Sequence, residues 1–341
     1  MNSWNHPDEA GPNRKIFDEE LDDFLPPKIF DSHVHIAPVG GLPAEQPFSC
    51  GGVPITGYTY EDLAADFAAV YPGRETGALC FGFPHPNYDL DLNNHYVGGH
   101  ADHQRFFPLR LLDPQRDTGE SLLRDLARFR FLGLKPYPDY ARPHDVAHAE
   151  IPEMLPDWAM AIAHEHKLLI VLHIPRPGRL EDPLNRRQIR ELCLRWPDAR
   201  IILAHIGRSY YLRGIKGFVE ELSDLPNLYF DLAMVQHWEV MAWLFRCVPV
   251  ERILYGSDAP IALALGKAVE INHQYTYITP RPWPIALCDE RHRLRFTSFL
   301  NEELRSIRQA SEAVGFSRSA VQALFHDNAT QLIASVPLRH L

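Results

Sequence analysis

The sequence predicts a single (β/α)8 barrel of the TIM type, with long loops after its first and eighth strands. Three observations carry this reading. Eight short runs of apolar and β-branched residues alternate with stretches of helical period, the pattern of parallel strands joined by crossover helices. Several of these runs are apolar throughout (LLIVLHI, RIILAHI), as expected of strands covered on both faces. No GxGxxG follows the first run, which argues against an open dinucleotide-binding sheet. With 341 residues, 45% of them hydrophobic, the chain can bury one large core, and single α/β barrels commonly run to about 250 residues or more.

Residues 1–27 are polar and end in Pro26-Pro27, a pair that cannot sit inside a helix, so they read as an N-terminal extension ahead of a barrel domain at 28–341. Strands are expected at 29–36, 77–83, 106–112, 131–137, 168–174, 200–206, 227–233 and 252–257. Helices are expected between them at 60–70, 92–103, 118–130, 153–166, 185–196, 215–222 and 238–247. The third of these opens on Asp117-Thr118-Gly119-Glu120, a capping residue followed by an acidic first turn. Two connections, 37–59 and 261–299, are too long for simple loops and should emerge at the C-terminal mouth as substrate-binding lids. Two helical segments, 302–314 and 317–335, close the chain, and no internal repeat or low-complexity tract interrupts it.

Composition narrows the partners. A formal charge of −10 with no basic run would repel a polyanionic duplex, so nucleic acid is not expected. No stretch approaches the ~20 apolar residues needed to span a bilayer, and the polar, Pro/Gly-broken start does not resemble a signal peptide. No membrane association is expected, and the expected localisation is cytoplasmic. The five cysteines are scattered and never form CxxC, so they read as packing residues rather than as a disulfide framework or a thiolate zinc site. Histidine occurs 18 times, so only position and spacing give any one of them meaning.

His33-Val34-His35 is an HxH on a predicted strand, where period-two alternation points both imidazoles to one side, here the barrel interior. Neutral imidazole is a common zinc ligand, and two on one rigid strand form half a site. Taken alone, the same motif also fits a polar surface strand. Four further candidates each end a different predicted strand: Lys135 in FLGLKPYP, His173 in LLIVLHIP, His205 in RIILAHIG and Asp258 in RILYGSDAP. Strand ends at the C-terminal face are where barrel enzymes place their chemistry. Each has a plain alternative. A lone buried histidine is commonly a hydrogen-bonded core residue, Asp258 can cap a turn between Ser257 and Pro260, and Lys135 can pair with a carboxylate.

The motifs FDSHVHI, LKPYP, LHIP, AHIG and YGSDAP, with FFPLRLLDP and FHDNATQLI, resemble the amidohydrolase superfamily from residue 28 to the C-terminal helix. Within it they resemble the amidohydrolase-related branch of metal-dependent hydrolases and aminocarboxymuconate-semialdehyde decarboxylase-like enzymes. The resemblance implies a metal held by His33, His35, His173 and Asp258. It makes His205 a catalytic group in mononuclear relatives and a ligand of the second metal in binuclear ones. Lys135 occupies the place of the carboxylated lysine of binuclear relatives and would be a ligand only in that modified form. A homodimer is implied by the resemblance alone.

The expected chemistry is a metal-dependent hydrolase acting on a C–N or C–O bond (amide, lactone or ester) of a small, anionic molecule. One divalent ion is expected, zinc by ligand type, or two if Lys135 is carboxylated. Such an ion lowers the pKa of water towards about 7. Asp258 would take the water proton and return it to the leaving group, and His205 would polarise the substrate carbonyl. The alternative is a non-oxidative decarboxylase of a small carboxylic acid on the same scaffold. A metal-free, ligand-binding barrel is the reading from a different class. Arg176, Arg208 and Arg142 follow strands five, six and four at the mouth, where a carboxylate could be clamped. Tyr137, Tyr140, Trp283, Tyr275 and Tyr277 are the candidate aromatic walls.

Overall fold

Runs such as LIVL and RIIL hold no polar side chain beyond their first residue and are buried on both faces, which requires helices outside and a packed barrel within. The computed structural model describes residues 7–43, 45 and 47–337. It shows eight strands in the expected order: β1 (Lys28–His35), β2 (Glu75–Phe81), β3 (Phe106–Pro108 continued by Arg110–Leu112), β4 (Gly133–Pro136), β5 (Leu169–Leu172), β6 (Arg200–Leu203), β7 (Leu228–Asp231) and β8 (Ile253–Leu254). Every neighbouring pair within this series is parallel. β3 is broken at Leu109, whose N–H still donates to Cys80 O at 2.8 Å, so its first half pairs with β2 and its second with β4. The ring closes between β8 and β1. Ser32 N donates to Tyr255 O, Asp258 N to His33 O and His35 N to Ala259 O, all at 2.8–2.9 Å. The expected eighth strand, 252–257, therefore pairs with β7 only at Ile253–Leu254, because the chain beyond turns its bonds to β1.

The helices follow their start signals. α1 (Pro7–Ile16) precedes the barrel, and α2 (Tyr60–Val70) opens on a Thr59–Asp62 capping box. α3 (Leu90–His100) is capped by Asp89, and α4 (Gly119–Phe129) by Thr118. The expected helix 153–166 divides into Ile151–Met154 and α5 (Asp157–Glu165), because Pro156 between them has no N–H to donate. α6 (Pro183–Arg195) starts after Asp182 with proline at its first position, and α7 (Trp238–Cys247) matches its expected bounds. The helix expected at 215–222 does not form. Gly217 at φ +89° interrupts it, and only the short turns Leu212–Gly214 and Glu220–Leu222 remain, although Ile215, Val219 and Leu222 are buried at helical spacing.

The N-terminal extension is helical from residue 7 and packs on the barrel from Phe17 onward. Phe17, Leu21, Phe24 and Leu25 are buried, and Glu20 and Asp23 pair with Arg305 and Arg308 of α8 (Phe299–Val314). Both long connections carry small sheets. Residues 37–59 form the hairpin Phe48–Cys50/Val53–Ile55, and 261–299 build a three-stranded sheet of β9 (Lys267–Ile271), β10 (Gln274–Thr279) and β11 (Ala286–Cys288). All five cysteines are free thiols, three of them buried. Among the described residues no helix is long and apolar enough to cross a membrane.

Candidate active site

The alternation of β1 places His33 and His35 side by side in the barrel, ring centroids 5.7 Å apart and both buried. Each imidazole is oriented through Nδ1: His35 on Gly82 O at 2.9 Å, His205 on Ala233 O at 2.8 Å and His33 on Asp231 Oδ2 at 2.9 Å. A carbonyl oxygen can only accept, so Nδ1 of His35 and of His205 carries the hydrogen, and in the neutral ring Nε2 keeps its lone pair. Burial pulls the pKa values of His33, His173 and His205 below the ordinary histidine range, so these three rings are neutral at physiological pH. The Nε2 atoms of His35 and His33 lie 3.2 and 3.5 Å from Asp258 Oδ1, a buried oxygen with no hydrogen-bond partner. A carboxylate oxygen facing imidazole lone pairs without a shared hydrogen is repulsive, and a cation between them removes the conflict. The donor set of imidazole nitrogens and a carboxylate suits zinc and related divalent ions.

Strained backbone aims these groups. His205, Ile206, Gly207 and Arg208 are four consecutive residues at φ between +54° and +64°, and Asp258 is at +73°. Left-handed conformations cost non-glycine residues roughly 1–2 kcal/mol each, and such strain gathers where a site over-determines the chain. Asp31 holds the loop that bears Asp258: its carboxyl accepts from the N–H groups of His33 and Ser257 and from Ser257 Oγ. Burial raises the Asp31 pKa to about 7. Lys135 reaches in from β4, fully buried, with Nζ 3.5 Å from His33 Nε2 and 4.6 Å from the Phe81 ring centroid. Burial lowers its pKa to about 8 against the opposing charges of Asp231 and Asp258.

His33, His35, Lys135, His205 and Asp258 thus come together as the sequence led us to expect. Two sets of ligand atoms lie within 4.8 Å of one another among the described residues: His33, His35 and Asp258, and His33, His205 and Asp231. His173 belongs to neither set. Its ring packs edge-on against His205 at 5.4 Å and stacks on Tyr137 at 4.5 Å, with a buried, unpartnered Nδ1.

Arg208 lies at the mouth, one N–H bonded to Ile174 O. Arg176 does not serve there as expected, since its guanidinium is held by Asp182 at 2.7 Å and by His148 O. Arg142 is exposed and folds back onto the carbonyls of Asp139 and Ala141. Tyr140 bonds to His85 N, and Trp283 is buried against Tyr277 and Phe299 within the lid, so neither reaches the histidines.

Three acids were missed by the sequence reading. Asp231 ends β7 and uses both oxygens, Oδ2 on His33 and Oδ1 on the His205 N–H at 2.7 Å, which marks it as an orienting group rather than a ligand. Asp31 sits two residues before His33 in the same motif. Glu303 of α8 is wholly buried and accepts the N–H of Met234, a residue at φ +58° just beyond β7. Asp231 had the same signal as its neighbours, a polar residue ending an apolar run, whereas Glu303 had none.

A family model described as amidohydrolase matches residues 30–333. Among solved structures, an amidohydrolase II is similar at 15% identity and a TM-score of 0.57, covering 90% of this chain and 100% of its own. An amidohydrolase from Burkholderia multivorans with bound zinc is similar at 15% identity and a TM-score of 0.57, covering 90% of this chain and 99% of its own. The 5-carboxyvanillate decarboxylase of Sphingomonas paucimobilis follows the same fold at 11% identity and a TM-score of 0.51, covering 91% of this chain and 99% of its own. No curated protein matches the chain.

Proposed function

The chain belongs to the amidohydrolase family, and from that premise we propose that it is a metal-dependent hydrolase cleaving a C–N or C–O bond of a small molecule. The observation that carries this reading is Asp258 Oδ1, buried without a hydrogen-bond partner against the imidazole nitrogens of His33 and His35. His33, His35 and Asp258 would hold one zinc ion, whereas His173, a ligand in the family resemblance, lies outside that set. Bound there, the ion supplies a Lewis acid and makes water acidic enough to yield hydroxide near neutral pH.

The remaining work falls to the chain. Asp258, whose Oδ1 has no hydrogen-bond partner, would take the proton of the attacking water and return it to the leaving group. His205, neutral and with its Nδ1–H engaged by Ala233 O, presents a lone pair. It therefore orients water as an acceptor; polarising a carbonyl would need a protonated ring, which burial opposes. Lys135 acts as an ammonium whose charge favours a developing oxyanion.

The test is Asp258→Asn in zinc-loaded protein, assayed against a panel of small lactones, esters, amides and aromatic carboxylic acids in oxygen-18 water. Wild type should incorporate the label into product, and the variant should lose turnover while keeping its melting temperature. Full activity in the variant would overturn the assignment of Asp258, and carbon dioxide release without label would make the enzyme a decarboxylase.

A further inference from the structure

Arginines on the loop and helix after β5 are mostly neutralised by carboxylates: Arg176 by Asp182, Arg186 by Glu221 and Arg190 by Asp224, each at 2.7 Å. Arg179 is the exception on the same stretch. It has no ion pair among the described residues, and its Nε is buried without a hydrogen-bond partner. Its guanidinium lies over two aromatic faces, 4.4 Å from the Tyr275 centroid and 5.4 Å from that of Tyr210. Those rings stack on each other at 4.2 Å, and Tyr210 in turn lies 6.1 Å from the His205 ring. Arg208 forms no ion pair among the described residues and gives one N–H to Ile174 O, with the Asp139 carboxylate near enough to feel its charge. Arg208 ends the His205–Arg208 turn two residues before Tyr210, the ring that Arg179 covers, so both arginines belong to the surroundings of that ring beside the histidines.

A half-buried guanidinium with a buried, unsatisfied N–H is costly unless an anion completes it. Cation–π contact fixes the fork in place, but it leaves the in-plane donors free. Arg179 is itself at φ +52°, so the chain is strained to hold it where it is. Tyr275 comes from β10 of the lid sheet, which joins the lid to this spot. Tyr137, stacked flat on His173, offers a second aromatic face nearby.

We propose that Arg179 and Arg208 form an anion receptor roofed by the Tyr210–Tyr275 stack, which grips a carboxylate on a planar substrate and presents its reacting bond to Asp258 and His205. This rests on the hydrolase reading for the reacting bond, but not for the receptor itself. Arg179 thereby takes the place that the sequence suggested for Arg176, and the lid sheet is part of the binding site.

The test is calorimetric binding of benzoate and benzamide to the zinc-loaded protein, in wild type and in Arg179→Gln and Arg208→Gln. Wild type should prefer benzoate, with an affinity that falls as salt rises. Each variant should lose about ten- to a hundredfold in benzoate affinity, the worth of hydrogen bonds to a charged group, with zinc affinity and melting temperature unchanged. Benzoate binding that depends on zinc but is equal in all three proteins would overturn the receptor, as would a wild type indifferent between the two probes. Neither result bears on turnover. Conversely, arginine-dependent binding in a protein that hydrolyses no lactone, ester or amide would sustain the receptor and overturn the hydrolase reading.

Discussion

Asp231 determines which nitrogen of His33 is free. Its Oδ2 faces His33 Nδ1 at 2.9 Å while Oδ1 accepts the His205 N–H, so one wholly buried carboxylate ties the first, sixth and seventh strands together. In Asp231→Asn the amide oxygen can keep the His205 N–H, and the NH2 then points at His33 and forces Nδ1 to accept. The hydrogen moves to Nε2 and the lone pair towards Asp258 is lost. Zinc affinity should fall about 10–100-fold by chelator competition, and an unchanged affinity would show that Asp231 serves packing alone. Glu303 offers a pH test. Burial holds its pKa well above the ordinary glutamate value, so the folded protein keeps a proton that the unfolded chain releases above that value. The folded state then binds more protons, and this group's contribution makes stability fall as pH rises. Glu303→Gln can still accept the Met234 N–H, so denaturant titrations from pH 5 to 8 should show a flatter decline in the variant. An identical slope would mean that Glu303 ionises in the fold. At this scale the HxH pair, Lys135, His205 and Asp258 were legible because each is a polar residue in or ending an apolar run. The choice among Arg176, Arg179 and Arg208 was not, because it depends on Asp182 capturing one of them.

Turns decide where the elements end, and they were the least legible feature. The spacing of Ile215, Val219 and Leu222 satisfies a helix and is buried as a helix face would be, yet Gly217 at φ +89° lets the segment break into short turns. The left-handed run from His205 to Arg208 has only Gly207 as its sign in the sequence, and Ile206 within it is β-branched, the residue type least suited to that conformation. Its burial compensates for the strain, which makes glycine there a poor exchange. Arg130 presents the opposite case. It ends α4 at φ 54°, ψ 41° and is solvent-exposed, so it bears the left-handed penalty without packing in return. Glycine is favoured at such a position, and Arg130→Gly should raise the unfolding free energy by about 0.5–1 kcal/mol, read as a higher midpoint in urea. A lower midpoint would show that the arginine stem contributes more than the backbone gains.

On the scale of the whole molecule, the eight-strand alternation was legible because parallel strands covered on both faces must be apolar throughout. Less legible was the packing of the N-terminal extension, whose polar composition hides four apolar side chains, Phe17, Leu21, Phe24 and Leu25, that are buried in the structure. Phe24 packs edge-on against Phe325 at 6.0 Å, Phe325 lies 4.8 Å from Tyr255 beyond β8, and Tyr255 N bonds to Leu324 O. The segment before β1 and the turn around Phe325 thus meet on the strand pair that closes the barrel, where Ser32 N reaches Tyr255 O. Phe24→Ala should cost about 3 kcal/mol, the usual scale for a buried phenylalanine. Phe24 touches Phe325 and Arg308 rather than any of the site histidines, so zinc affinity should be unchanged. Loss of stability alone would make the N-terminal segment a clasp on a barrel that is otherwise complete. A parallel loss of zinc affinity would mean that β1, and with it the His33–His35 pair, depends on that clasp for its register.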